Sequence, residues 1–392
     1  MADSVVAEFA GASWFLGTMP ETPIAASGTS IKIGMINQEN TPLGSYPELR
    51  HAVEAGVAWV NTELGGVDGR PIELISCATP FDPEQSRRCA EKLIDAGVVA
   101  FVGGVDVRSD GSYPVIEERG LISVGGIPAT LVEQRSPNAF FFSGGDAGAL
   151  AAFIQHAADA GHRSIAIAYT SEVDSFMVAA RDYGTVLGAS LGLEVQLVPY
   201  SILATDHQDV VRAAVDGGAS ALMVLAATSA CVSVMTAVAD LAPTMQLYLT
   251  GACAGDDVIT AAGPIAERVV FNAEGPVDGE VVDAGIYRAV IERYATGPAG
   301  GAGTVGFRGF MNLFSLLLEV EQVDSADLAD LLRRSVGRPS FWGHPYTCDG
   351  TQVPGLPALC APQQVLFTRT ATRFTGLGDW IATDELFARA IG

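Results

Sequence analysis

The sequence predicts an α/β fold made of two similarly wound lobes, and three observations carry that reading. The first is a pattern that occurs twice. Asp82-Pro83-Glu84-Gln85 opens a helical run through Cys89 and Leu93, which ends at Asp95-Ala96-Gly97 and leads into the apolar strand Val98 to Val102. Asp206-His207-Gln208-Asp209 opens a second run through Val215, which ends at Asp216-Gly217-Gly218 ahead of the apolar strand Ala221 to Leu225. In each, an Asp suits the N-cap, an acceptor three positions on can complete a capping box, and a Gly supplies the left-handed stop. The copies lie about 120 residues apart, the size of a domain and not of a solenoid repeat. The second observation is that apolar runs alternate with helical patterns, as in parallel-sheet proteins. The third is size: 392 residues, 49% hydrophobic and 17% charged, can bury two sizeable cores.

Taken in order, Ile31 to Ile36 reads as the first strand, and Tyr46 to Glu63 as a helix with Val53, Val57 and Val60 on one side. Pro71 to Cys77, Val98 to Val102 and Leu121 to Val124 are the next strands, followed by Phe140 to Ser143. A new lobe begins near Asp146, with helix Ala149 to Ala160, strand Ser164 to Tyr169, helix Ser175 to Leu191 and strand Glu194 to Tyr200. Strand Ala221 to Leu225, helix Cys231 to Leu241, and strands Gln246 to Thr250 and Val269 to Asn272 continue it. After Pro276 come a long helix, Val282 to Tyr294, a Gly-rich loop, helix Phe307 to Val323 and a short helix, Ser325 to Val336. Gln364 to Phe374 alternates like a hairpin.

Charge and cysteine usage exclude several functions. A formal net charge of -23, with Lys only at Lys32 and Lys92, would repel a phosphate backbone, so no nucleic acid partner is expected. The longest apolar stretches, such as Ala219 to Ala227, are about half the length needed to span a bilayer. No cysteine pair forms C-x-x-C and the five His residues do not cluster beside them, so neither a metal nor another cofactor is expected. Pairing in sequence order would join Cys77 to Cys89, Cys231 to Cys253 and Cys348 to Cys360. Three such short-loop bridges, each worth about 2 to 4 kcal/mol, make sense only outside the reducing cytosol. Six reduced core thiols are the alternative. Met1 to Ser30 has no basic segment followed by an apolar core, so these residues are expected to be an N-terminal tether left after export, with a lipid-modified Cys upstream.

The loops after the strands are where a ligand is expected, because open parallel sheets bind small molecules outside the carboxyl ends of their strands. They are Asn37 to Ser45, Gly103 to Ser112, Gly125 to Thr130, Thr170 to Asp174, Ala226 to Ala230, Gly251 to Asp257 and Ala273 to Gly279. Gly103-Gly104 and Gly125-Gly126 fall where amides would be exposed, although each loop alone could be an ordinary tight turn. Enzyme motifs do not survive context. Gly188-Ala189-Ser190-Leu191-Gly192 fits G-x-S-x-G but leads from a helix into a strand, the reverse of a nucleophile elbow. Gly301-Ala302-Gly303-Thr304-Val305-Gly306 fits G-x-G-x-x-G but follows a helix, and is expected to be a flexible connection. His51, His156, His162 and His207 fall on helix faces or caps and are read as solvated.

Several segments together resemble the type I periplasmic binding proteins, most of all the leucine/isoleucine/valine-binding branch that feeds ABC importers. They are Ile31-Lys32-Ile33-Gly34, Pro42-Leu43-Gly44, the Ala-rich helix through Val60-Asn61, Gly65-Gly66-Val67-Asp68-Gly69-Arg70-Pro71-Ile72, Asp82-Pro83 and Phe101-Val102-Gly103-Gly104. The resemblance runs from Ile31 to about Tyr294 and, more weakly, through Gln364 to Phe374. It implies two Rossmann-like lobes joined by three hinge crossovers near Gly144, Pro276 and Gly343, which close over a solute. The expected domains are the tether over 1–30, a first lobe over 31–144 and 276–343, and a second over 145–275 and 344–392.

The resemblance also implies a site. Ser109, five residues before Pro114, matches the family's serine that hydrogen-bonds the ligand carboxylate. Gly126, Ile127 and Thr130 should supply amide, carbonyl and hydroxyl groups, and Tyr169 and Thr228 should line the other lobe. Where the family places a carboxylate against the α-ammonium, this chain has Gly251-Ala252-Cys253. A buried ammonium without a partner is costly. Glu274, Asp106 or Glu39 would have to replace that partner, or the solute is a carboxylated, largely apolar molecule that carries no amine. Tyr46 or Tyr169 would pack its body and Gln38 would add specificity, unless Tyr46 and Gln38 merely cap the first helix. The expected protein is an extracytoplasmic, monomeric, non-enzymatic binder that hands a small molecule to ABC importer membrane subunits, either periplasmic or lipid-anchored. A ligand-sensing receptor of the same fold is the alternative.

Overall fold

Two parallel sheets wound in the same order organise the chain. The structure, a computed structural model, describes residues 4–41, 44–226, 228–277 and 281–391. The chain begins with a short helix, α1 (Val5–Glu8), and a ribbon of β1 (Ser13–Trp14) and β2 (Gly17–Thr18). Then come β3 (Ile31–Gln38), α2 (Pro47–Glu63), β4 (Ile72–Thr79), α3 (Pro83–Asp95), β5 (Phe101–Val102) and α4 (Tyr113–Glu118). β6 (Ser123–Val124), α5 (Leu131–Arg135) and β7 (Ala139–Phe140) complete a five-stranded parallel sheet in the order β4-β3-β5-β6-β7.

The second unit opens with α6 (Gly145–Asp159) and β8 (Ser164–Thr170). Helix α7 (Asp174–Val178) runs through a π-helical turn, Ala179–Gly184, into α8 (Thr185–Ser190). β9 (Glu194–Tyr200), α9 (Gln208–Asp216), β10 (Ala221–Val224), α10 (Thr228–Leu241), β11 (Gln246–Leu249), α11 (Asp256–Ala262) and β12 (Val270–Ala273) follow. Helices α12 (Val282–Tyr294), α13 (Gly303–Leu317) and α14 (Ser325–Arg333) belong to the first unit, and β13 (Val365–Arg369), β14 (Phe374–Gly376) and α15 (Thr383–Ile391) to the second. The second sheet runs β14-β13-β12-β11-β10-β8-β9, with β13 and β14 antiparallel.

The doubled pattern in the sequence is this doubled winding. α3 and α9 each lead into the third strand of their sheet, and Gly97 and Gly218, at φ 81° and 75°, end the two turns in the left-handed region. The starts differ. Asp82 caps α3 by accepting the Glu84 amide at 3.0 Å, whereas Asp206 sits one residue ahead of the cap His207 and accepts the Gln208 amide at 2.9 Å. All six cysteines pair in sequence order: Cys77 with Cys89, Cys231 with Cys253, and Cys348 with Cys360.

Three expectations change. Residues 4–19 are not a tether. Val5 and Val6 are fully buried, and their amides donate to the Glu63 carboxylate at 3.1 and 2.7 Å, so a side chain from α2 satisfies the orphan donors of α1. Trp14 packs edge-on against Trp59, and Phe15 against Phe341. The division near Gly343 moves along the chain. One unit comprises Met1–Ser143, Glu280–Thr351 and Gly355–Ala361, and the other Gly144–Gly279, Gln352–Pro354 and Pro362–Gly392. Tyr346, Cys348 and Cys360 are buried in the first unit's core, with the Tyr346 ring 4.5 Å from that of Phe142. The G-x-G-x-x-G stretch is not a flexible connection either, since α13 starts at Gly303. A Cβ on Gly306 would stand 2.8 Å from the Leu49 carbonyl oxygen, and one on Gly125 would stand 2.5 Å from the Gly309 Cα. The glycines let α13 press against α2 and against the loops that follow β5 and β6.

Candidate functional site

In a sheet wound this way, the first and third strands are neighbours whose crossovers leave to opposite sides, so their carboxyl-end loops part and open a crevice. In the first unit these are the loops after β3 and β5, which carry Gln38, Asp106 and Ser109. The loop after β6 adds Gly126, Ile127 and Thr130. Expectations at residues 42–43, 227 and 278–279 lie outside the described residues.

Backbone meets backbone at this edge. A Cβ on Gly104 would stand 1.9 Å from the Ile36 oxygen, and one on Gly126, at φ 90°, would stand 2.3 Å from the Gly104 oxygen. The Ile127 amide donates to the Gly104 oxygen at 3.0 Å, so it holds the loop pair together instead of pointing free toward a solute. That stacking brings Ser109 and Thr130, 21 residues apart, to 2.5 Å between hydroxyl oxygens. Thr130 also caps α5 in a reciprocal capping box: its Oγ1 accepts the Glu133 amide at 3.4 Å, and Glu133 Oε2 accepts the Thr130 and Ala129 amides at 2.9 and 2.8 Å. Burial, aided by the nearby Asp106 charge, pushes the Glu133 carboxyl up to about 8 against the amide hydrogen bonds that it accepts.

The other polar candidates at this edge are already engaged. Asp106 Oδ2 accepts from Ser86 Oγ at 2.5 Å, and its Oδ1 accepts from the Arg108 amide at 3.0 Å and Thr79 Oγ1 at 3.4 Å. Burial raises its pKa in spite of these bonds. Burial would raise Glu39 too, but the Arg50 guanidinium grips both its oxygens, at 2.8 and 3.0 Å, and holds it below the usual carboxylate range. Neither carboxylate is placed to receive a solute's ammonium group. Gln38 is fully buried; its Nε2 donates to the Gly44 oxygen at 2.9 Å, and its Oε1 is buried without a partner among the described residues. Tyr46, ahead of α2, is half-buried against the first unit's core.

In the second unit, Tyr169 near the end of β8 is buried in the core, where its hydroxyl accepts from Arg181 Nε at 2.8 Å under a stacked guanidinium. That corrects its expected place on a solute-facing wall. Thr228 opens α10, Ala252 lies exposed in the turn Gly251–Ala254, and Cys253 beside it is tied to Cys231. Glu274 follows β12, and its charge bears on Asp146 in the first turn of α6. Burial pushes Asp146 up to about 7 against a 2.9 Å hydrogen bond from Ser175. Sequence reasoning missed Glu133 and Asp146. Thr130-x-x-Glu133 has the spacing of a capping box and was legible as one, whereas nothing local marks Asp146. Among the described residues, no group of three or more His, Cys, Asp and Glu could hold a metal ion, and no helix is long and apolar enough to cross a membrane.

Two units of like winding, with polar side chains gathered at strand-end loops, define the type I periplasmic binding protein class. Residues 30–334 match the family model described as "Periplasmic binding protein", and the chain belongs to that family. Solved structures agree on the fold. A leucine-binding protein from Thermotoga maritima is 18% identical over 91% of this chain and 99% of its own, with a TM-score of 0.74. A fatty acid ABC transporter substrate-binding protein from Thermomonospora curvata is 17% identical over 93% and 96%, with a TM-score of 0.76. An ABC transporter solute-binding protein from R. palustris, in complex with 4-hydroxybenzoate, is 15% identical over 90% and 97%, with a TM-score of 0.74. A comparison with curated proteins finds no match. The family consists of solute-binding proteins and not enzymes, and family membership implies an extracytoplasmic location.

Proposed function

We propose that this protein captures a small, largely apolar carboxylated solute outside the cytoplasm and delivers it to the membrane subunits of an ABC importer. The carrying observation is the Ser109–Thr130 pair, two hydroxyls held 2.5 Å apart at the switch-point edge of the first sheet. One hydroxyl of the pair donates to the other, which leaves the second hydroxyl's proton for a carboxylate, and a hydrogen bond to a charged acceptor is about twice as strong as a neutral one. Leucine, fatty acids and 4-hydroxybenzoate, named for the structural neighbours, all carry a carboxylate, which supports the shared chemistry. The engagement of Glu39 and Asp106 favours an acid without an amine. The working form is a monomer, either periplasmic or lipid-anchored at the outer face of the membrane.

A second reading has its own support. Glu274 and Asp146 bring two carboxyl groups of the second unit close enough to interact, and such a pair could receive the ammonium group of an amino acid. A thermal-shift screen separates the two. Leucine is compared with 4-methylpentanoate, which differs from it only by the amine, and with benzoate and octanoate. The apolar acids should raise the melting temperature more than leucine does, and Ser109→Ala should weaken the shift. Stronger stabilisation by leucine, lost on Glu274→Gln, would establish the amino acid reading instead.

A further inference from the structure

The hydroxyl pair alone is a thin grip on a charge. One of its two protons is used inside the pair, so a carboxylate at Ser109 and Thr130 meets a single outward donor and no positive charge. A cation beside the pair would favour an acid over its neutral analogue. One stands next in the chain. Between each parallel strand, β3 to β12, and the helix that follows it, the sequence holds no Lys and one Arg in all, and that residue is Arg108, immediately before Ser109.

Arg108 is held from three sides. Its amide donates to Asp106 Oδ1 at 3.0 Å, which ties its backbone to the loop that carries Ser109. Its guanidinium lies 5.8 Å over the ring of Phe81, which follows β4 at the same edge of the sheet. Phe81 sits at φ 65°, a left-handed conformation that a bulky residue keeps only where its surroundings fix it. Arg108 Nε and Nη2 donate to the two oxygens of Asp110 at 3.0 and 3.1 Å. Asp110 therefore occupies one edge of the fork. A guanidinium has five N–H donors, so both protons of Nη1 and one of Nη2 remain, and no group among the described residues takes Nη1. These form a second edge, which matches the two oxygens of a carboxylate. Solvent reaches it, since the side chain is 35% exposed. The other carboxylates nearby are engaged: Asp106 accepts from Ser86, Thr79 and the Arg108 amide, and Asp82 accepts the Glu84 amide.

We propose that Arg108 makes this site select acids: the second edge of its guanidinium takes the solute carboxylate alongside the outward hydroxyl of the Ser109–Thr130 pair, while Phe81 and Asp110 hold the guanidinium in place. This rests on the carboxylate reading above and supplies the positive charge that the hydroxyls lack.

Calorimetric titration of the full chain with benzoate, octanoate and 4-methylpentanoate, each beside its primary amide, tests the assignment. Arg108→Gln should weaken the acids about tenfold or more and leave the amides within about threefold. Arg108→Lys, which keeps the charge and loses the fork, should fall between wild type and Arg108→Gln. Raising NaCl from about 0.05 M to about 0.5 M should weaken acid binding in wild type and much less in Arg108→Gln. Thermal unfolding checks that each variant is folded. Acids bound by Arg108→Gln within about threefold of wild type, while Ser109→Ala still weakens them, overturn the proposal alone. A loss that acid and amide share equally is a structural effect and overturns it too. Wild-type protein that binds none of the acids, or binds the amides as tightly, overturns the carboxylate reading and the role of Arg108 with it.

Discussion

The Glu63 carboxylate, buried at the end of α2, works as a cap for a helix it does not belong to. It accepts the Val5 and Val6 amides and the Tyr294 hydroxyl, so three donors from two other elements converge on it. Hydrogen bonds to a charged acceptor contribute about 1.5 to 3 kcal/mol each before losses to relaxation. Glu63→Ala should therefore cost about 3 kcal/mol in urea unfolding and expose residues 4–19 to limited proteolysis, whereas a free tether would be cut equally in both proteins. Glu133 makes the opposite contribution. Its carboxyl is raised from the ordinary 4.5 to about 8, so the unfolded chain loses that proton at lower pH than the folded one. Stability must then fall as pH rises through that window, and Glu133→Gln must remove this part of the fall. Unfolding curves of both proteins at about pH 5 and about pH 8.5 check it. Ser109 and Thr130 were singled out through the resemblance to the family's motif, and no local spacing marks the contact between them. The bonds that occupy Asp106, Glu39 and Tyr169 come from Ser86, Arg50 and Arg181, and no local spacing announces those meetings.

At the scale of elements, disulfides join segments that the sheets have already brought together. Cys231 lies in α10 and Cys253 in the turn after β11, and the bridge closes a loop of 22 residues. Chain-entropy reasoning assigns such a loop about 3 kcal/mol. The double variant Cys231→Ser/Cys253→Ser should lose that much in denaturant unfolding, with no change in the solute it selects. The helices and long strands were read well because their periodicity is sustained, as in α2 and β3. Strands β5, β6 and β7 are only two residues long, shorter than their apolar runs, although flanking amides such as those of Val99 and Gly103 still donate to the neighbouring strands, at the Lys32 and Val124 oxygens. Helix α15 was missed because only Thr383, Leu386 and Phe387 are buried along it, too few to set a period. The start of α13 was misread as loop because its glycines suggested freedom. What they provide is the contact with the Leu49 carbonyl and with Gly125.

For the whole molecule, the doubled winding was legible because each sheet repeats an Asp-led, Gly-ended helix before its third strand, 124 residues separating Asp82 from Asp206, even though only Asp82 is itself the cap. The third division was less legible. Residues 344–361 carry no periodic pattern, and their membership is decided by Tyr346, Cys348 and Cys360, which are buried in a core built from distant segments. The fold alone does not name a solute: solved structures that share it are named for leucine, fatty acids and 4-hydroxybenzoate, so selectivity has to come from side chains and not from the winding. The most direct measurement is calorimetric titration of the wild-type protein with apolar carboxylic acids, each paired with its own primary amide. At least one acid should bind one to one and be recovered unchanged, about 100-fold tighter than its amide, and Ser109→Ala should cost that acid about tenfold or more. An amide that binds as tightly as its acid, or an affinity untouched by Ser109→Ala, would contradict the account.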